Sequence, residues 1–540
     1  MKFPTPDLIR AEDYYRRGYW QRQSIPGLIA DSIAATPDKI ALRDASGAAL
    51  SYRELDERAG RLASFLHTRG VGKGDIVTVC LPNWWQTVVS FLAIMRLGAV
   101  VNPIPTTYGR ADLAYVLNKC SSTAVIVAAT FRSVDFTRTL SEISPTLADE
   151  ITVLRIGAGQ VDIGTEFELA LASQKFEPAV DLAGDDIAAV LFTSGTESKP
   201  KGAVHSHNTI LFGERALAGV LGLGADDIAF MASPISHTTG FMHGFVMTLT
   251  TGGTLSLLDV FKGAAAVSQM REHRCTWTMG ATPFLADTAE VLEETDTRLP
   301  DLRYFLSGGA PIPEALVRRA QAVDLRVLAI YGSTESPPHT VVWPGDPVEN
   351  SWQTDGRTLP GIETRTVDDT GADVAVGETG EEWSRGPNVF LGYLGEPELT
   401  RKALDADGWC HSGDLARVLP DGSIRIVGRI KEMLVRGGQN ISVREVEDYI
   451  SAHPAISLVA VVGVPHDRLG ETGCAVVVTR PGRSITLSEL SAFLVERGIA
   501  KFKLPERLEI WPSLPTTPSG KIQKFLIKRQ LDDGQERKKS

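Results

Sequence analysis

Three short apolar runs, IAAVLFT (187–193), LRYFL (302–306) and LRVLAIY (325–331), each pass directly into a glycine-rich loop: SGTESKPKG, SGGAPIP and GSTE. In an open α/β sheet, ligands bind where the carboxyl ends of strands open into loops, so the three loops predict one shared pocket. Upstream, DIVTVC, VVNPIP and TAVIVAA read as strands, and WWQTVVSFLAIMRLG and RADLAYVLNKC between them read as helices. This βαβ order predicts an α/β fold of mostly parallel sheets with helices on both faces. After about Asn350 the runs are punctuated by Asp-Gly and Gly-Glu turns, which predicts a β-rich segment. Beyond Arg429 the pattern becomes compact α+β. Ser442-x-x-Glu445 reads as a capping box opening a helix, SLVAVVGV and CAVVVT as strands, LSELSAFLVERG as a helix, and the last eight or nine residues as a frayed tail.

Composition removes several classes. A chain of 540 residues has room for three or four folding units. Its net charge of -11 argues against sequence-independent nucleic-acid binding, which needs a basic face. The charge is uneven: residues 497–540 hold 11 Lys/Arg against 5 Asp/Glu, leaving 44 against 61 elsewhere. No apolar run reaches the length of a membrane span; VVSFLAIM stops at Arg96. Five scattered cysteines without a C-x-x-C pair fit neither a disulfide framework nor a zinc site, and they suit a reducing compartment. The charged start lacks a secretory signal's apolar core, and RKKS is no peroxisomal address, so the expected location is cytoplasmic.

The loops carry the chemistry. Thr193 to Gly202 combines glycines for close backbone approach, hydroxyl donors, and Lys199 and Lys201 to offset polyphosphate charge. It is not a Walker loop, and the same composition suits a surface turn. Tyr331-Gly-Ser-Thr-Glu335 offers a ring to stack on a base and one carboxylate suited to magnesium beside a triphosphate; a strand end with a helix cap is the alternative. Asp414, in His411-Ser-Gly-Asp-Leu, is placed like an acid that grips ribose hydroxyls or one that closes a turn.

In this order TSGTESKPKG, YGSTE, HSGDL, GRIKEMLVRGGQNISVREVE and PTTPSGKIQK resemble the adenylate-forming superfamily of acyl-CoA synthetases, peptide-synthetase adenylation domains and luciferase. The resemblance implies an N-terminal domain over 1–429, with the β-rich part at about 350–428, and a mobile C-terminal lid over 430–540 hinged at Lys431. It implies ATP and AMP contacts from Thr193, Ser194, Gly195, Thr196, Lys201, Gly309, Ala310, Pro311, Tyr331, Gly332, Ser333, Thr334, Asp414 and Arg429. Lys521, Glu335 and Thr193 take the catalytic roles, with Mg2+ on Glu335. Coenzyme A falls to Arg436, Gly437, Gly438, Lys501 and Lys503, although Lys501 and Lys503 equally suit a solvated basic face. One departure is Glu197-Ser198, where the family usually has Thr-Gly. That change stiffens the loop and adds a negative charge.

By the same resemblance the acyl pocket falls to His237, Phe241, Met242, Met279 and Gly280, although the Phe and Met residues equally suit an ordinary core. Residues 233–246 hold no Asp or Glu, which disfavours an amino-acid substrate, since its ammonium would be buried unpaired. PNWWQ (82–86) and TFRSVDF (130–136) are similar to the branch of cyclohexanecarboxylate–CoA and short- to medium-chain fatty acid–CoA ligases. The expected activity is therefore ATP-dependent ligation of an apolar carboxylic acid to CoA through an acyl-adenylate. The alternatives are an aryl or acyl acid-AMP ligase that loads a carrier protein, and a non-catalytic adenylate-binding protein. A homodimer is one assembly left open.

Overall fold

A computed structural model of the chain describes residues 3–148, 150–175, 180–193, 200–436, 439–466, 468–517 and 520–539. Two large sheets dominate. One has nine strands, in which Thr254–Leu257, Ile228–Met231, Trp277–Gly280, Tyr304–Ser307 and Val327–Tyr331 run parallel side by side. The other has eight, with Val100–Pro103, Ile76–Cys80, Ala124–Ala128 and Thr152–Ile156 as its parallel centre. The helix Trp85–Arg96 is buried at every residue from Thr87 to Met95, and its Phe91 meets Phe241 and Phe245 of the π-helical segment Thr239–Met247. A helix apolar all round belongs inside a protein.

The strand Ile187–Thr193 departs from the expected grouping. It lies in the eight-stranded sheet, beside Val100–Pro103, and turns back as an antiparallel hairpin with Lys201–Ser206. The strand that leads into the first glycine-rich loop therefore belongs to a different sheet from those that lead into the other two. Its residues 194–199, including Ser194, Gly195, Thr196 and the Glu197-Ser198 departure, lie outside the described residues.

Within the span read as β-rich, Glu363–Val367, Gly380–Arg385, Cys410–Val418 and Ile424–Arg429 form a four-stranded antiparallel sheet. Two short strands of that span pair elsewhere: Arg357–Thr358 joins the nine-stranded sheet and Gly392–Tyr393 the eight-stranded one.

Past Arg429, Ile456–His466 and Gly470–Thr479 form a long antiparallel pair, extended by Met433–Arg436, Gln439–Ser442 and Arg507–Ile510. Side chains alternate across this sheet. Val461, Ala475 and Val477 pack with Val446, Ile450, Leu490 and Leu494 of the helices Val443–Ser451 and Leu487–Glu496. Ala460, Val462, Val464 and Val476 pack with Ile527 and Leu531 of Lys524–Lys539 on the other face. The backbone expected to fray at the end is helical to Lys539. Ser442 caps its helix by accepting from the Glu445 N–H at 3.3 Å, but the reciprocal half of the box is missing, because the Glu445 carboxylate binds Lys503 Nζ at 2.6 and 2.7 Å.

Candidate functional site

A cleft of about 1100 Å3 opens between the carboxyl ends of the nine-stranded sheet and the C-terminal residues. Its walls include Gly309, Ala310, Pro311, Tyr331, Gly332, Asp414, Arg429 and Lys521. Two glycines shape the turn after Tyr304–Ser307. A Cβ on Gly308 would sit 2.5 Å from the Ile330 carbonyl oxygen, and Gly309 has φ +81°, so neither tolerates a side chain without strain.

Asp414 is the polar centre of one wall. Its Oδ2 accepts from the Tyr331 hydroxyl at 2.7 Å and its Oδ1 from Arg429 Nε at 2.6 Å. A carboxylate has about four acceptor positions, so two remain. Burial and then the Asp414 charge hold the Tyr331 phenol well above its usual range, so it stays a donor. Burial works against the Arg429 cation, but Asp414 outweighs it and raises its pKa.

Thr334 joins three segments. Its carbonyl lies 2.8 Å from Nε2 of His205 in the hairpin strand Lys201–Ser206, and its hydroxyl is 3.2 Å from that of Thr238. Burial pushes His205 down to about 4, so the ring is neutral and Nε2–H donates to the carbonyl. Glu335 is set by Tyr393, whose hydroxyl donates to Oε1 at 2.6 Å; the Lys201 ammonium stands 5.3 Å from the centre of the same Tyr393 ring. Thr193 and Lys201 face each other across the hairpin. Ser333 closes the turn by accepting from the Ser336 N–H at 3.1 Å.

Lys521 enters from the C-terminal side. A Cβ on Gly520 would lie 3.3 Å from the Ala281 Cβ, so this turn rests on the segment after Gly280. Desolvation and then the Arg429 charge lower the Lys521 pKa. Desolvation and then the Lys521 charge lower the His237 pKa, although its side chain keeps exposed surface. Lys521 and Arg429 line the same cleft, whereas His237 is not among the residues lining it. Beside it, Lys524 Nζ bridges Glu432 at 3.0 Å and Glu447 at 2.9 Å. Lys524→Met is expected to leave two partly buried carboxylates facing each other. The loss on chemical denaturation should be about 2–3 kcal/mol, below the full cost for a completely buried pair.

Phe241 and Met242 are wholly buried, and Phe241 packs on Phe91 and Phe245 inside the molecule. Met279 and Gly280 line a second, very small cavity together with Phe261 and Phe284, which stack at 4.2 Å and also line the main cleft. The carboxylate of Glu214 reaches the π-helical segment but is taken by His243 Nδ1 at 2.9 Å. Arg436 is paired with Glu506 and Lys503 with Glu445, while Lys501 is exposed. Gly437 and Gly438 lie outside the described residues.

Sequence reasoning passed over Tyr393, His205 and Asn83. The Asn83 amide donates to the carbonyls of Met231, Ser233 and Leu258 and accepts from the Ile235 N–H at 2.8 Å. It thereby ties the end of a strand in one sheet to the segment leading to His237. No group of three metal-ligating side chains occurs among the described residues.

A family model described as AMP-binding enzyme matches residues 29–394, and one described as AMP-binding enzyme C-terminal domain matches 445–521. The medium-chain fatty-acid–CoA ligase of Escherichia coli (strain K12) is 40% identical over 526 residues, covering 97% of this chain and 93% of that protein. The salicyl-AMP ligase / salicyl-S-ArCP synthetase of Mycobacterium tuberculosis (strain ATCC 25618 / H37Rv) is 32% identical over 533 residues, 97% of this chain and 93% of that one. Among solved structures, ATP-bound MatB from Rhodopseudomonas palustris superposes with a TM-score of 0.84 at 30% identity, covering 95% of this chain and 99% of its own.

Proposed function

The chain belongs to the AMP-binding enzyme family, and we propose that it ligates an apolar, medium-chain or alicyclic carboxylic acid to coenzyme A at the expense of ATP. The observation that carries this reading is the placement of Lys521. It lines one cleft with Arg429, Asp414 and Tyr331, and its charge is felt at His237 in the segment free of acidic residues. A carboxylic acid with a pKa of about 4 is already an anion near pH 7, so no general base is needed. The barrier is anion meeting anion, and fixed positive charge lowers it.

In the first step a carboxylate oxygen attacks the α-phosphorus, the bond to the β-phosphate breaks, and pyrophosphate leaves. Tyr331 would stack on the base, Asp414 would take ribose hydroxyls on its two remaining acceptor positions, and Lys521 would neutralise charge between carboxylate and α-phosphate. Glu335 would hold magnesium delivered with the nucleotide: a single carboxylate fixed by Tyr393 suits a cation that takes most of its other ligands from phosphate and water. That ion would supply charge neutralisation on the leaving phosphates. In the second step the CoA thiolate attacks the acyl carbonyl and AMP leaves. We place the boundary of the moving C-terminal part at residue 430 and assign Arg436, Lys501 and Lys503 to CoA phosphates. A reducing cytoplasm suits the five buried, unpaired cysteines. No helix among the described residues is long and apolar enough to cross a membrane.

The test is acid-dependent exchange of pyrophosphate into ATP over acids of four to twelve carbons and cyclohexanecarboxylate, followed by addition of free CoA. Exchange and thioester both peaking on apolar medium-sized acids support the reading; exchange without thioester points to a carrier-protein acceptor. Asp414→Asn should raise the ATP KM at least tenfold, about 1.4 kcal/mol, and leave the acid KM within twofold. Steady-state kinetics with each substrate varied in turn checks this.

A further inference from the structure

Behind Tyr331 lies an ionisable pair that the proposed reaction does not use. His339 is 1% and Glu382 0% exposed, with His339 Nε2 standing 3.4 Å from Glu382 Oε1. His339 ends the loop that begins at Tyr331, and its N–H returns to the Tyr331 carbonyl at 3.2 Å. Its Nδ1 lies 2.9 Å from the Ser336 carbonyl, which can only accept, so Nδ1 carries a proton. If the ring held only that proton, Nε2 would turn a lone pair toward a buried carboxylate. A proton on Nε2 as well removes that repulsion, and the facing carboxylate favours it.

This arrangement is costly. Among the described residues Nε2 and both Glu382 oxygens lack a hydrogen-bond partner, and 3.4 Å exceeds a charge-assisted bond of about 2.8 Å. Apolar residues of similar size commonly replace a buried ion pair without loss of stability. What the pair touches gives it a purpose. The His339 ring meets the Tyr331 ring edge to face at 4.8 Å and 84°. Ser336, held by His339, also binds the hydroxyl of Ser384 at 2.9 Å and the amide of Asn388 at 3.2 Å. The other groups acting on the pair are Tyr331 itself and, from the strand Cys410–Val418, Asp414 and Cys410, with Arg429 beyond Asp414. Burial lowers the His339 pKa, but Glu382 outweighs it and the net direction is upward.

We infer that His339 and Glu382 are positioning residues for the nucleotide: a buried, facing pair that fixes the plane of Tyr331 and the turn from Ser333 to Glu335. The inference rests on the adenylating role proposed for Tyr331 and Glu335. The pair touches no substrate and acts through the loop between its two halves.

The experiment replaces the pair with apolar groups, His339→Leu with Glu382→Leu, and measures the melting curve, the ATP Kd by titration calorimetry, and the KM of each substrate. A positioning role gives an unchanged or raised Tm and an ATP Kd about tenfold weaker. The acid KM stays within twofold. A folded double variant with native ATP affinity overturns the inference, since the pair would then serve packing alone. Should the double variant not fold, Glu382→Gln is compared with Glu382→Ala. The amide keeps a polar group facing Nε2 and with it the native ATP Kd, while the alanine loses both; equal Kd values in the two overturn the inference. Because ATP binding is read directly, a wild type that activates no acid would count against the proposed reaction and leave the positioning role of the pair to be decided by the Kd values alone.

Discussion

Lys521→Ala is expected to lower acyl-adenylate formation by roughly 10^2- to 10^3-fold, the usual loss when one preorganised charge-stabilising group is removed, about 3–4 kcal/mol. The same variant should convert supplied acyl-adenylate and CoA to thioester at close to the native rate. The asymmetry follows from where the lysine stands. Its side chain lines the cleft with Arg429, Asp414 and Tyr331, where the proposed reaction brings a carboxylate and an α-phosphate together. Both are anions before attack, and the charge on the attacked phosphate changes most in the transition state. Once the anhydride exists that demand is gone. Single-turnover measurement of each half-reaction checks the split, and equal losses in both would contradict a lysine dedicated to adenylation.

The sheet strands were legible because their patterns are local. Ala460, Val462 and Val464 alternate with Val461 in one run, and the two sets face different helices. The division of the glycine-rich loops between two sheets was not legible. Nothing within IAAVLFT says whether it lies beside Val100–Pro103 or beside Val327–Tyr331; that is settled by packing across the whole domain. The motifs brought Gly309, Tyr331, Asp414, Arg429 and Lys521 forward as candidates, and all five line one cleft. Their supports stayed hidden because they come from distant parts of the chain: Tyr393 reaches Glu335 across 58 residues, and His205 reaches Thr334 across 129. Glu382 misleads for a different reason. In GEEWSR the alternation is inverted, with Glu382 and Ser384 facing inward while Trp383 turns outward and stacks on His411 at 3.8 Å. Pattern alone places the tryptophan inside and the glutamate out.

Lys431→Pro is expected to slow thioester formation about a hundredfold or more while adenylation stays within a few-fold of native. Lys431 occupies the middle of a 3-10 turn, Ile430–Glu432, between Arg429 with φ -117° and Met433 with φ -69°. Proline fixes φ near -65°, within the range of such a turn, and removes an N–H. The substitution therefore suits the orientation seen here and opposes any other that needs a different φ at this residue. In that orientation contacts cross the boundary proposed at residue 430. The Ser442 hydroxyl donates to the Val427 carbonyl at 2.6 Å, Arg444 approaches Asp355 at 3.7 Å, and Arg425 approaches Asp448 at 3.7 Å. We take this arrangement, with Lys521 lining the cleft beside Arg429, as the one suited to making the adenylate, and so as the state that proline would trap. The thiol step would then meet a misplaced second face, and even a 1 Å misplacement can cost on the order of 10^2-fold. Lys431→Ala is the control, since it removes the same side chain and leaves the backbone free. If the alanine variant matches the proline variant in both half-reactions, or if both steps slow together with a lower melting temperature, the residue acts through its side chain or through stability, and the hinge lies elsewhere.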